Sequence, residues 1–155
     1  MNHRLQDLPA MLITCPHCST RNRVAQDRSA EEPVCGRCSK ELLNGAPVAL
    51  DTANFDAVIR RERPVVVDFW AAWCGPCRAF APVFAAEAAK LRNVVFAKVD
   101  TDANPDLAAR YAIRSIPTLA VFGRGDIVQR ISGALPAAEF GRWLERATGT
   151  MRADG

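Results

Sequence analysis

All six cysteines of this chain fall into Cys-x-x-Cys pairs, Cys15/Cys18, Cys35/Cys38 and Cys74/Cys77. No other feature constrains the fold as much. In an exported protein an even cysteine count suggests a disulfide framework, whereas in a cytosolic one it points to metal binding or redox catalysis. The amino terminus favours the second case. Met1 to Leu12 lacks the apolar stretch and small-residue cleavage site of a secretory signal, so a cytoplasmic protein is expected. No run approaches the roughly eighteen apolar residues of a spanning helix, the longest being broken by Asp68 and Arg78. At 155 residues, with 49% hydrophobic and 24% charged, the chain has room for one domain and a small appendage. Large multidomain machines and global disorder are excluded. A net charge of +3 is too mild to make nucleic acid or a membrane surface the expected partner.

The cysteine pairs divide the chain. Residues 1–10 read as a flexible leader, with Met11 an alternative start. Residues 11–46 hold four cysteines and little apolar periodicity, so they cannot build a core of their own. Asn44-Gly45-Ala46-Pro47 is a turn-rich linker. From Pro47 strand-like runs alternate with helix-length segments. A strand over 47–50 precedes a helix capped by Asp51 or Thr52 and running to about Arg61. Val65 to Trp70 is nearly continuously apolar, the mark of a strand covered on both faces. Cys74 opens a helix to about Leu91 that contains Pro82. A strand over 94–99 and a short helix over 105–111 follow. Strands at 118–122 and 127–132 flank Gly123-Arg124-Gly125-Asp126 as a hairpin, and a helix over 136–147 closes the domain. Residues 150–155 read as a flexible tail. The order βαβαβαββα predicts an α/β domain with mixed strand directions.

Trp73-Cys74-Gly75-Pro76-Cys77 directly follows the buried strand and begins a helix. A cysteine there faces unpaired backbone N–H groups and the positive end of the helix dipole, both of which favour thiolate. Cys74 is therefore the expected nucleophile. Cys77, one turn on, is the expected resolving thiol. Asp68, a carboxylate inside an apolar strand, is the candidate base for Cys77. It can equally form a structural ion pair with Lys98, and both roles can hold at once. Trp70 reads as core and Trp73 as contact surface.

Val67-Asp68-Phe69-Trp70-Ala71-Ala72-Trp73-Cys74-Gly75-Pro76-Cys77, Lys98-Val99-Asp100, Ile116-Pro117-Thr118 and Ser132-Gly133-Ala134 together resemble thioredoxin over residues 47–149. The resemblance implies a thioredoxin fold with a mixed central sheet; the amino-terminal cysteine spacing adds a small zinc-ribbon module in front of it. It implies a catalytic set of Cys74, Cys77, Asp68 and Lys98, and a cis peptide at Ile116-Pro117. By the same resemblance Trp73, Gly75, Pro76, Ile116, Pro117, Gly133 and Ala134 form the substrate-docking surface, with the Ile116 backbone pairing to an extended substrate segment. Gly75-Pro76 adds no charge between the thiols, which suits a reductase. Ser115 and Ser132 depart from the smaller or more apolar residues common at these positions and bear on substrate preference.

Cys15-Pro16-His17-Cys18 and Cys35-Gly36-Arg37-Cys38 are separated by sixteen residues, within the spacing of a four-cysteine zinc ribbon. The four thiolates close a tetrahedron, so one structural Zn²⁺ per chain is expected, with iron or two disulfides as alternatives. His17 reads as an exposed knuckle residue. Metal loss is expected to unfold mainly residues before Pro47. The two modules together resemble the zinc-containing bacterial thioredoxins, the thioredoxin 2 group, over residues 11–149. That resemblance implies reduction of disulfide-containing protein substrates, with an NADPH-dependent thioredoxin reductase restoring the dithiol. The chain has no Gly-x-Gly-x-x-Gly, and no bound nicotinamide or flavin is expected. The competing reading is a redox-sensing or binding module on a thioredoxin scaffold. Arg21, Arg23, Arg28, Arg37 and Lys40 alone favour nucleic acid, and Asp27, Glu31, Glu32 and Glu41 nearly cancel them.

Overall fold

The computed structural model describes residues 10–25 and 32–154, with only the backbone of 150–154. Residues 1–9 of the expected 1–10 leader, together with Asp27, Arg28 and Glu31, lie outside the described residues. Ala10 already belongs to the first strand, β1 (Ala10–Thr14), which pairs antiparallel with β2 (Arg21–Ala25).

The second module follows the expected order: β3 (Val48–Leu50), α1 (Phe55–Ile59), β4 (Val65–Trp70), α2 (Gly75–Lys90), β5 (Val95–Asp100), α3 (Pro105–Arg110), β6 (Thr118–Gly123), β7 (Asp126–Ser132) and α4 (Ala137–Asp154). The sheet order is β3-β5-β4-β6-β7. β3, β5 and β4 run parallel, and β6 and β7 are antiparallel additions. Central β4 has no solvated face, which is why its sequence is apolar at nearly every position. Its odd residues Val65, Val67 and Phe69 pack with Phe55, Val58 and Leu107 from α1 and α3. Val66 packs on the other face with Phe80 and Phe84 of α2 and Phe140 and Leu144 of α4. Alternation puts Asp68 on the α2 side.

Two elements end elsewhere than expected. α1 begins at Phe55 because residues 52–54 form a turn capped by Asp51, whose carboxylate accepts from the backbone N–H groups of Ala53 and Asn54 at 2.9 and 3.1 Å. α4 runs to Asp154 rather than stopping near Ala147. Thr148 does not break it, since its hydroxyl donates back to the Leu144 carbonyl at 2.7 Å.

The amino-terminal segment does not stand apart from the domain. Met11, Ile13, Leu42 and Leu43 are buried in the same cluster as Val48, Leu50 and Phe55. The segment thus covers the sheet on its α1 and α3 side, away from α2. Polar contacts tie the joint: Asn54 Nδ2 donates to the Leu12 carbonyl at 2.8 Å, and Arg92 Nε donates to Asn44 Oδ1 at 3.0 Å. The Arg61 and Arg63 guanidinium groups both meet Glu32 Oε1, at 3.1 and 3.2 Å.

Candidate functional site

Cys74 is the N-cap of α2, with extended backbone at φ −84° and ψ 111°, and its sulfur accepts from the Cys77 backbone N–H at 3.2 Å. Such a donor, at the positive end of a sixteen-residue helix with no acidic residue in its first turn, stabilises negative charge on that sulfur. Cys74 and Cys77 form a disulfide with Cα atoms 5.2 Å apart. Both are buried, Cys77 more deeply. The oxidised form of the pair is the one present here.

Around the sulfurs stand the residues expected of a docking face. The Ile116-Pro117 peptide is cis, and the Ile116 carbonyl oxygen lies 3.7 Å from Cys74 Sγ. Gly133, at φ +99°, donates its N–H to the Pro117 carbonyl at 2.7 Å, which brings Gly133 and Ala134 beside that peptide. Gly75, Pro76 and Ala134 are exposed, Ile116 is half-buried and Pro117 is buried. Trp73 is 68% exposed. Its indole is nevertheless oriented: Nε1 donates to Asp102 Oδ2 at 2.9 Å. The sequence reading missed Asp102, because nothing in the local spacing links the β5–α3 turn to Trp73.

Asp68 is fully buried and neither carboxylate oxygen has a hydrogen-bond partner. Desolvation pushes its pKa up to about 7, although Lys98 pulls the other way. Lys98 is the register partner of Asp68 across β4 and β5, but the expected close ion pair is absent. Its ammonium lies over the Trp70 ring, 4.3 Å from the centroid, a cation–π contact that offers partial compensation without desolvating the charge fully. Trp70 is accordingly half-buried rather than core.

The other four cysteines converge in the ribbon. Their sulfurs lie within 4.8 Å of one another, with Cys15 to Cys38 at 3.7 Å and Cys18 to Cys35 at 3.6 Å. A tetrahedral ion with metal–sulfur bonds of about 2.3 Å has edges of roughly 3.8 Å, so the cluster fits zinc. Two equivalent knuckles produce it. Cys15 N–H bonds the Thr20 carbonyl and Ser19 N–H the Cys15 carbonyl, while Cys35 N–H bonds the Lys40 carbonyl and Ser39 N–H the Cys35 carbonyl. Ser19 and Ser39 both take the left-handed conformation, at φ +67° and +66°. The repeat is therefore Cys-x-x-Cys-Ser, one residue longer than the cysteine spacing indicated. The backbone N–H of His17 points at Cys15 Sγ and that of Arg37 at Cys35 Sγ, both at 3.4 Å. The Cys38 backbone N–H foremost, then Asn22 Nδ2, hold the Cys35 thiol down to about 6. His17 is exposed and sends Nε2 to the Asn44 carbonyl at 3.2 Å, away from the sulfurs.

Comparison with known proteins supports both sites. The thioredoxin family model matches residues 46–146, and the model described as "Thioredoxin 2, N-terminal" matches residues 14–40. Thioredoxin C-3 of Corynebacterium nephridii is 45% identical over 88% of this chain and 94% of its own length. A thioredoxin of Synechocystis is 41% identical over 67% of this chain and 98% of its own. The solved structure of a mutant thioredoxin from Halobacterium salinarum superposes with a TM-score of 0.64 at 31% identity, covering 68% of this chain and 94% of that one.

Proposed function

Since this chain belongs to the thioredoxin family and is a thiol-disulfide oxidoreductase with a redox-active cysteine pair, we propose that it works as a reductase of protein disulfides, with Cys74 attacking and Cys77 resolving. The observation that carries this assignment is the position of Cys74 at the N-cap of α2, its sulfur held by the Cys77 amide and lying beside the Ile116 carbonyl. In the reduced protein the Cys74 thiolate attacks one sulfur of a substrate disulfide. That bond breaks, the other substrate sulfur leaves as a thiolate and takes a proton from water, and a mixed disulfide forms. Cys77 then gives up its proton and attacks Cys74 Sγ. The second substrate sulfur departs, two electrons have passed to the substrate, and the Cys74–Cys77 disulfide remains.

Asp68 is the group suited to take the Cys77 proton. A carboxylate with a pKa of about 7 and two free oxygens is poised to accept a proton at neutral pH and release it again. Lys98 positions the charge by keeping a cation on the same sheet face. Trp73, Gly75, Pro76, Ile116, Pro117, Gly133 and Ala134 form the docking face, where the Ile116 backbone pairs with an extended segment of the substrate. An NADPH-dependent thioredoxin reductase returns the dithiol.

The ribbon holds one structural Zn²⁺ through Cys15, Cys18, Cys35 and Cys38; four thiolates close the coordination shell, and the ion supplies cross-linking rather than chemistry. Among the described residues no helix is long and apolar enough to cross a membrane. Four thiols kept as metal ligands suit a reducing compartment, and the cytoplasm is the proposed location. Insulin-disulfide reduction with reductase and NADPH, run beside metal analysis, tests the reading: NADPH consumption that requires Cys74 and one zinc per chain are expected. A protein that oxidises dithiols but does not reduce insulin overturns the assigned direction.

A further inference from the structure

The segment between α3 and the Ile116-Pro117 peptide is held by a side chain outside the redox centre. α3 ends in a turn in which Ile113 N–H bonds the Ala108 carbonyl at 2.8 Å and Ala112 N–H the Ala109 carbonyl at 3.1 Å, with Ala112 at φ +52°. Helices that end this way usually place glycine there, because the left-handed conformation brings a Cβ too close to the neighbouring carbonyl oxygen. The turn also leaves outward carbonyls to be satisfied. Arg130 of β7 meets them: its Nη1 donates to the Tyr111 carbonyl and its Nη2 to the Ala112 carbonyl, the latter at 3.0 Å. A planar fork bridging two successive carbonyls is a geometry that a lysine ammonium does not reproduce.

The same face of β7 holds the other end of the loop. Ser132, two residues beyond Arg130, pairs in register with Thr118. The Thr118 hydroxyl donates to the Ser115 carbonyl at 2.6 Å, so its oxygen is left to accept from Ser132 Oγ at 3.5 Å. Residues 111–118 are therefore pinned at both ends, and between the pins sits Ile116, whose carbonyl faces Cys74 Sγ.

We propose that Arg130 is a positioning residue for protein-disulfide recognition: by clamping the Tyr111 and Ala112 carbonyls it holds the Ile116 backbone where an extended substrate segment pairs with it. The proposal rests on Ile116 being the docking strand. Arg130 touches neither the sulfurs nor the substrate; it acts through four residues of backbone. A small disulfide that reaches Cys74 without pairing along Ile116 has no need of the clamp, which separates positioning from general stability.

The test uses full-length, zinc-loaded, pre-reduced protein in single-turnover reactions with insulin and with the small aromatic disulfide dithionitrobenzoate. For Arg130→Met the insulin rate constant falls about tenfold, the effect of losing hydrogen bonds from a charged donor, while the small-disulfide rate stays within about twofold. Arg130→Lys, with one carbonyl in reach, falls between. Amide exchange at 113–116 quickens in Arg130→Met while β4 and β5 stay protected. Equal loss on both substrates, or no loss on insulin, overturns the proposal. Should Arg130→Met not fold, an unchanged substrate ratio in Arg130→Lys overturns it equally. Wild type that reduces the small disulfide but not insulin removes the docking reading itself, and this proposal with it.

Discussion

Asp68 and Lys98 face each other across parallel strands yet do not neutralise each other: the ammonium stands over Trp70, and both carboxylate oxygens lack a partner. An acid left in that position ties stability to pH. Its folded-state pKa of about 7 lies above the unfolded value of roughly 3.9. The folded state thus binds the proton more tightly, and stability falls as pH rises from the unfolded value through the folded one. The full effect is about 4 kcal/mol.

Asp68→Asn removes the charge and keeps the shape, but leaves a buried amide in search of partners. We expect it to be about 1–3 kcal/mol more stable than wild type near pH 8, an advantage that shrinks toward pH 4. Its resolution step should slow by about a hundredfold or more. Urea titrations at several pH values and rapid-quench trapping of the mixed disulfide check both halves. A destabilised variant with unchanged turnover would make Asp68 merely structural.

The asymmetry of the cysteine pair gives a second expectation. Cys74→Ser abolishes disulfide reduction, whereas Cys77→Ser still attacks and accumulates the mixed disulfide, since no second thiol displaces the product. Non-reducing gels with a disulfide-bearing protein separate the two. Trapping by Cys74→Ser would reverse the assigned roles.

Ala112 offers a test that touches no functional group. Its φ of +52° is strained for alanine and open to glycine, and the side chain is exposed. Ala112→Gly should therefore raise stability by about 0.5–1 kcal/mol, with Arg130 still on the Tyr111 and Ala112 carbonyls. Thermal denaturation that shows a loss instead would mean the methyl group contributes more than the backbone conformation costs.

What could be read from the sequence followed from local pattern. The apolar run of β4, Cys74 at the start of a helix and the paired thiols of the ribbon each carry their signal within a few residues. Contacts between distant side chains carry none. The Trp73–Asp102 bond, the Arg130 clamp and the Lys98–Trp70 contact depend on how strands are ordered, which spacing does not encode. Burial of the ribbon was half legible: Met11 and Ile13 alternate with exposed Leu12 and Thr14, but five residues of alternation do not reveal what they pack against. The surface that receives them is made by β3 and α1, more than thirty residues on.

That shared core changes what metal removal should do. A ribbon with its own separate energetics would unfold alone, leaving residues after Pro47 intact. Here Met11, Ile13, Leu42 and Leu43 are buried with Val48, Leu50 and Phe55, and Asn54 at the start of α1 donates to the Leu12 carbonyl. Each buried aliphatic side chain contributes roughly 1.5–3 kcal/mol. Losing the ribbon uncovers one side of the sheet, and β3, a three-residue strand at its edge, has little else to hold it. We therefore expect chelation to speed amide exchange in β3 and α1 as well as in the ribbon, while α2, across the sheet, and the interior β4–β6 pairing change least. Ile13→Ala should cost about 2–5 kcal/mol in a single cooperative transition of the zinc-loaded chain. Exchange mapped before and after chelation decides the matter: full protection retained in β3 and α1 would show that the ribbon folds for itself, and a uniform loss reaching α2 would show that the domain depends on it throughout.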